Sequence, residues 1–242
     1  MPLESPLPPL AERVAALNAR FAHHSAHDIL RAALNDPFVG RLAMVSSFGA
    51  ESVALLHILS TIDRTVPVIF LDTEMLFHET LTYQQQVAQH LRLRDIRIIR
   101  PARGDIFRQD SDGLLHQSNP DACCTLRKTV PMANAIEQFD GWITGRKRFH
   151  GGARQSLPLF EVEGPRIKVN PLAHWARTDV SDYITNNRLP RHPLVAKGFG
   201  SVGCAPCTTR VTSVENPRAG RWRGQEKTEC GIHFPNGQAV QT

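Results

Sequence analysis

Four short apolar runs, spaced through the middle of the chain, constrain its fold more than any other feature. They are Leu42 to Val45, Val66 to Leu71, Ile96 to Ile99 and Trp142-Ile143-Thr144. Each has the length of one strand, and each is apolar enough to be buried in a sheet covered on both sides. Between them the apolar residues recur at helical spacing. Val53, Leu55, Leu56, Ile58 and Leu59 follow the first run, and a helix from roughly His78 to Leu91 follows the second. Strands that alternate with helices predict an α/β domain whose sheet is mostly parallel and flanked by crossover helices. Ile167-Lys168-Val169 is a further strand candidate. Thr178-Asp179 predicts a helix start, through a capping side chain and an acidic first turn.

The flanks read differently. Residues 9 to 35 carry helical spacing in Leu10, Val14, Leu17 and Phe21, then in Ile29, Leu30, Ala33 and Leu34. From Gly198 the chain is rich in Gly, Pro and basic residues, with little helical period. Three parts follow: an N-terminal helical appendage over 1–38, an α/β domain over 39–209, and a mobile C-terminal tail over 210–242. At 242 residues one core of this kind is within reach.

The ligand of a parallel sheet sits at the carboxyl ends of its strands. The first run leads into Ser46-Ser47-Phe48-Gly49-Ala50-Glu51-Ser52 and then a helix. That geometry offers backbone N–H groups and a helix N-terminus to an anion, although an ordinary strand-to-helix turn looks the same in sequence. It is not a Walker A loop, because the Gly-Lys-Ser/Thr ending is missing. Asp72 and Thr73 close the second run, and Asp72 is expected beside Ser46 and Ser47. The fourth run opens into Gly145 to Arg154, which holds Arg146, Lys147, Arg148, Arg154 and His150 on a Gly-rich loop. A basic loop at a strand end reads as a phosphate or sulfate clamp. The rival, a nucleic-acid patch, calls for interleaved aromatics, and Phe149 is the only one. The net charge of +5 suits either ligand.

Five cysteines remain to be explained. Cys123 and Cys124 are adjacent, Cys204 and Cys207 form a C-x-x-C, and Cys230 stands alone. The N-terminus lacks a basic stretch before an apolar core, and no run of 18 apolar residues occurs, so neither a secretory leader nor a membrane span is expected. In the reducing cytoplasm that this implies, cysteines serve metals and catalysis more than disulfides. Zinc sites usually separate paired ligands by two to four residues, so an adjacent pair chelates one small ion poorly. It suits a cubane better, where each sulfur takes a different iron, and four cysteines are what a [4Fe–4S] cluster needs. Lys128 follows Cys124 by four residues, on the same face of the helix expected from Cys123 to about Gln138. Cys230 is left over as a candidate nucleophile, on a tail that also carries Arg210, Arg218, Arg221, Arg223 and Lys227.

With these residues in view the sequence resembles the sulfonucleotide reductases, and most closely the assimilatory iron–sulfur adenylyl-sulfate (APS) reductases. The resemblance runs from about residue 40 to 234. It rests on Ser46 to Ser52, Leu71-Asp72-Thr73, Cys123-Cys124 with Arg127-Lys128, the Gly145 to Arg154 loop, Cys204 to Thr208, Arg218 to Trp222, and Glu229-Cys230-Gly231-Ile232-His233. It implies a fold like that of the adenine-nucleotide hydrolases. It also implies that Cys230 attacks the sulfur of the phosphosulfate, that AMP leaves, and that thioredoxin or glutaredoxin releases sulfite from the S-sulfocysteine. On that reading Cys123, Cys124, Cys204 and Cys207 bind a [4Fe–4S] cluster. Ser46, Ser47, Phe48, Gly49, Leu71, Asp72 and Thr73 hold the nucleotide. Lys128, Arg146, Arg148, Arg154, Arg218 and Arg221 face the phosphosulfate, with His233 in the tail motif. No nucleic acid and no membrane is implied. Two positions depart from the family pattern, Glu74 where Gly is frequent and Phe149-His150-Gly151-Gly152 where Gln-Ser is frequent. A reductase of 3′-phospho-APS (PAPS) is the near alternative, and a zinc-stabilised RNA-binding protein the distant one.

Overall fold

The computed structural model describes residues 7–212, 214–225, 227, 229 and 231–233. Six strands form one sheet: β1 Leu42–Val45, β2 Val68–Leu71, β3 Ile96–Ile99, β4 Gly141–Ile143, β5 Phe160–Glu163 and β6 Arg166–Val169. Their order is β3-β2-β1-β4-β6-β5. All neighbours are parallel except β5, which runs antiparallel to β6 at the edge. The chain moves outward from β1 to β2 and β3, then returns to the other side of β1 as β4. Strand order therefore reverses between β1 and β4, and a crevice opens at their carboxyl ends. All four apolar runs became strands within a residue or two of their expected ends. β4 approaches β6 so closely that a Cβ on Gly141 would lie 2.2 Å from the Ile167 carbonyl oxygen, which is why no larger residue fits there.

The sheet is covered on both faces. One core joins Met44, Val68 and Phe70 to the helix Ser52–Ile62 and to Val14, Leu17, Phe21, Ile29, Leu30 and Ala33 of the N-terminal helices Leu10–Phe21 and Ala26–Asn35. Residues 1–38 are thus continuous with the domain core where described. Asn18 reinforces this: its amide donates to the Phe160 carbonyl at 2.8 Å and accepts from the Phe160 N–H at 3.0 Å. One side chain so pairs the edge strand β5, whose free backbone groups would otherwise invite another strand. The opposite face carries a smaller cluster of Ala43, Ile69, Met132, Ile136, Phe139 and Trp142.

Two local expectations need correction. The helix through the cysteine pair starts at Pro120, not Cys123, because Asn119 caps it (its side chain accepts the Ala122 N–H at 3.0 Å) and Pro120 fits the first turn. It also breaks into a π turn over Thr125–Thr129 before resuming as Val130–Ile136. Pro131 explains the break: it has no N–H for the Arg127 carbonyl, and its ring crowds that oxygen. The later helix, Arg177–Asn186, is capped at Ala176, and Asp179 accepts the Ala176 N–H at 2.7 Å. Among the described residues no helix is long and apolar enough to cross a membrane.

The described part of the tail lies against the domain. Thr208 and Arg221 form an antiparallel bridge, Trp222 is buried, and Ile232 packs on the smaller cluster.

Candidate active site

A cavity of about 230 Å³ occupies the crevice at the β1–β4 switch. Its floor is the loop after β1. Phe48 turns that loop, with φ of 46° in the left-handed region, and buries its ring edge-on to Phe70 at 5.3 Å. The Phe48 ring therefore anchors the loop from the core and does not line the cavity, which Ser46, Ser47 and Gly49 do. The Phe48 N–H donates to Ser46 Oγ at 3.2 Å, and the Gly49 N–H to Ser52 Oγ at 3.0 Å. The helix Ser52–Ile62 then starts at the cavity wall and directs its N-terminus there.

Leu71 also lines the cavity, but Asp72 and Thr73 turn elsewhere. Asp72 pairs with Arg100 Nε at 2.8 Å. Thr73 is fully buried, with Oγ1 3.2 Å from Cys204 Sγ, and its carbonyl accepts from Arg127 at 2.9 Å. The segment after β2 thus reaches the cysteines. Glu74 follows with φ of 60°, a conformation that favours glycine, which accounts for the frequent glycine at this place in the family pattern.

All four cysteines outside the tail are free thiols; Cys123, Cys124 and Cys204 are buried and Cys207 partly so. Burial pushes the Cys123 thiol up to about 11, with Arg127 opposing and the like charges of Cys204 and Cys207 adding to the rise. Burial and Cys204 likewise raise Cys207, while Lys128, Arg221 and Lys227 oppose. Thiols from two distant segments therefore meet in one dry neighbourhood, where ionisation needs a compensating positive centre. Among the described residues, no three Cys, His, Asp or Glu form a group that would hold a single ion. Four soft sulfur donors are nevertheless the donor set of an iron–sulfur cubane.

Arg127 ties these segments together. Its guanidinium meets Asp110 through Nε at 3.0 Å and Nη2 at 2.6 Å, and both side chains are almost completely buried. Removing one member of such a pair leaves an uncompensated buried charge. Asp110→Ala is accordingly expected to lower unfolding stability by roughly 3–5 kcal/mol. A denaturant midpoint unchanged from wild type would show that the pair is not holding the segments. Asp110 carried no signal in the sequence, since it lies in a polar, turn-rich stretch.

Cations dominate the rest of the wall: Lys128, Arg146, Lys147, Arg154, Arg218 and Arg221 all line the cavity. Arg148 does not; it is exposed, and its Nε donates to the Leu157 carbonyl at 2.8 Å. Arg146 is buried against Glu161 and Asn170. The Nε atoms of Arg146 and Arg221 are buried without a hydrogen-bond partner. Two acids enter this cationic site. Glu51 accepts from Lys147 at 2.7 Å and meets His150 Nε2 at 3.2 Å. Burial works to raise the Glu51 carboxyl, but the His150 hydrogen bond and the Lys147 charge outweigh it and bring it down to about 2. Glu229 binds Arg154 bidentately, at 2.5 and 2.6 Å. Burial and the neighbouring Arg154 charge lower Arg218 to about 10. The sequence counted Lys147 and His150 only as members of a basic loop, and Glu51 and Glu229 only as members of quoted motifs; the carboxylate partners of that loop were not foreseen. Cys230 lies outside the described residues, and so does the side chain of His233.

The fold and site define an α/β domain with a cation-lined crevice at the switch point of its sheet and a group of buried thiols. Residues 41–210 match the phosphoadenosine phosphosulfate reductase domain. A protein of Mesorhizobium japonicum named adenosine 5′-phosphosulfate reductase is 47% identical over 225 residues, 93% of this chain and 89% of that protein. One of the same name from a Chelativorans strain is 44% identical, covering 96% of each chain. Among solved structures, a phosphoadenylyl-sulfate reductase from Candida auris in complex with phosphate superposes with a TM-score of 0.69 at 28% identity, over 82% of this chain and 97% of that one. The Candida glabrata FMN adenylyltransferase bound to FMN and an ATP analogue shares the fold, with a TM-score of 0.53 at 13% identity over 86% of this chain and 79% of that one. This chain belongs to the phosphoadenosine phosphosulfate reductase domain family.

Proposed function

We propose that this protein is an adenylyl-sulfate reductase, an oxidoreductase that converts APS to sulfite and AMP in assimilatory sulfate reduction. The observation that carries this reading is a cation-lined crevice at the switch point, together with the thiols Cys123, Cys204 and Cys207 brought near one another from two distant segments. The relatives named adenosine 5′-phosphosulfate reductase support it over most of the chain.

The chemistry follows from the charges. APS joins a phosphate to a sulfo group, and the phosphate leaves as an anion. The Ser46–Gly49 loop and the helix behind it receive the phosphate side. Lys128, Arg218 and Arg221, with the buried Arg146 behind them, offset the charge that develops as the bond breaks. The Cys230 thiolate, a soft nucleophile, attacks the sulfur. An S–S bond forms, the S–O bond breaks, and its electron pair leaves with AMP. A dithiol donor of the thioredoxin or glutaredoxin kind then gives up two electrons, becomes a disulfide, and frees sulfite and the cysteine. Cys123, Cys124, Cys204 and Cys207 would hold a [4Fe–4S] cluster, whose positive irons would offset the buried thiolates and tie together the two segments that carry them. Lys128 lies one turn from the cysteine pair and on the cavity wall, so it stands between that group and the substrate. The cytoplasm is the compartment where such thiols stay reduced.

Substrate choice gives the test. Turnover with APS and PAPS, measured side by side with thioredoxin as donor, is expected to favour APS in kcat/KM by about tenfold or more, a difference of about 1.4 kcal/mol in transition-state binding. A higher kcat/KM with PAPS would overturn the substrate assignment in favour of the phosphorylated nucleotide.

A further inference from the structure

Arg154 is assigned to the substrate by the family resemblance, and the fold shows what holds it in place. His150 and Arg154 end two successive short turns, Arg148–His150 and Gly152–Arg154. Between them Gly151 and Gly152 have φ of 74° and 57°, left-handed values that favour glycine. The loop doubles back there, and the Arg154 guanidinium returns to the imidazole four residues before it.

The partners of His150 fix its form. A guanidinium only donates, so Arg154 Nη1, 3.1 Å from Nδ1, requires that nitrogen to be unprotonated. Nε2 lies 3.2 Å from Glu51 Oε2, an oxygen that also accepts from Lys147. Glu51 is ionised, so Nε2 is the donor. His150 is therefore neutral, with its proton on Nε2. Its side chain is 14% exposed. Glu51 faces it from the loop after β1, and Lys147, Arg154 and the Phe149 ring from its own loop. Arg218 and Glu229 of the tail lie beyond Arg154. Burial pushes the imidazole below its usual range, and the Lys147 and Arg154 charges add to this; the Glu51 contact opposes without overcoming it.

One edge of Arg154 is thus bound from behind. The other, Nε with Nη2, belongs to the cavity wall and holds the Glu229 carboxylate at 2.5 and 2.6 Å. That contact shows an edge shaped to take two oxygens of one anion.

We propose that His150, as the neutral Nε2–H tautomer, is the positioning residue of Arg154: it carries the hold of Glu51 to Nη1 and keeps the Nε–Nη2 edge turned to the crevice for an oxyanion of APS. His150 acts through Arg154 and does not touch the substrate. Protonation would remove the acceptor for Nη1 and set a cation against Arg154 and Lys147, so the edge is lost on acidification. This inference rests on the reading of the crevice as an APS site.

The test measures APS binding by calorimetry between pH 8 and pH 5, in full-length protein with its metal content intact and with Cys230→Ser to prevent turnover. His150→Leu makes neither bond and is expected to weaken APS binding by about 10- to 100-fold at pH 8, the loss of a charged hydrogen bond. His150→Gln offers an oxygen to Arg154 and an N–H to Glu51 but cannot be protonated. It is expected to restore affinity to within about fivefold of the unsubstituted site at pH 8, and to bind about tenfold tighter than the histidine protein at pH 5. A ratio of the two affinities that stays constant from pH 8 to pH 5, or moves the other way, overturns the proposal. So does undiminished binding in His150→Leu. Nitrogen-15 NMR of histidine-labelled protein reads the tautomer without substrate, and a proton on Nδ1 at pH 8 overturns the assignment. The expected tautomer in a protein that binds no APS at any pH overturns the reading of the crevice instead, which separates that failure from this one.

Discussion

Cys230→Ser is expected to abolish sulfite production while leaving nucleotide binding and iron content as in the wild type. The reaction needs a nucleophile that attacks sulfur and can later be removed from it. A thiolate does both, since it is soft and makes a reducible S–S bond; a serine hydroxyl is too basic to ionise and too hard to react at sulfur. Loss of a covalent nucleophile in a site that still binds its substrate typically costs about 10⁴- to 10⁶-fold in kcat. In the wild-type protein, APS without a donor is expected to add one SO₃ group, roughly 80 Da by atomic composition, and thioredoxin to remove it. Peptide mapping assigns the adduct. Sulfite production by the serine variant, or an adduct on another cysteine, would remove Cys230 from the mechanism.

The second large effect concerns the other thiols. Protein purified without oxygen is expected to be brown and to carry about four irons per chain, the content of one cubane. Cys204→Ser is expected to lose that iron and most of its soluble yield. Cys204 is buried, its Sγ lies beside Thr73 Oγ1, and its backbone bridges to Leu76, so it joins the tail side of the chain to the segment after β2. Without the cluster those segments are left to polar contacts alone, because metal binding and folding are coupled. Iron and zinc are measured together by plasma mass spectrometry. Stoichiometric zinc without iron in the wild type would refute the cluster.

Much of this protein was legible in its sequence because local chemistry carried it. Buried parallel strands must be short and apolar, so β1 to β4 were visible as runs. The edge strand β5 was not: Glu161 and Glu163 break its apolar pattern, and half-exposed Val162 faces outward. Cysteine spacing set Cys123, Cys124, Cys204 and Cys207 apart from the lone Cys230. The basic loop was visible as a density of Arg and Lys at a strand end. What the loop's residues do was not, because direction depends on partners far away in the chain. Arg146 turns inward to Glu161 and Asn170, Arg148 turns out to Leu157, and Arg154 meets a carboxylate 75 residues later.

The sequence by itself determined the alternation of buried strands with helices and the chemical inventory, since periodicity, turn residues and side-chain type act over a few residues. Only the tertiary structure decided which charges meet. Buried ion pairs such as Arg127–Asp110, Lys147–Glu51 and Arg154–Glu229 are long-range choices, made when packing removes water and each charge takes the nearest opposite one. The same packing set the π turn after the cysteines and carried the tail back onto the crevice, bringing Glu229 and Ile232 to the cavity wall.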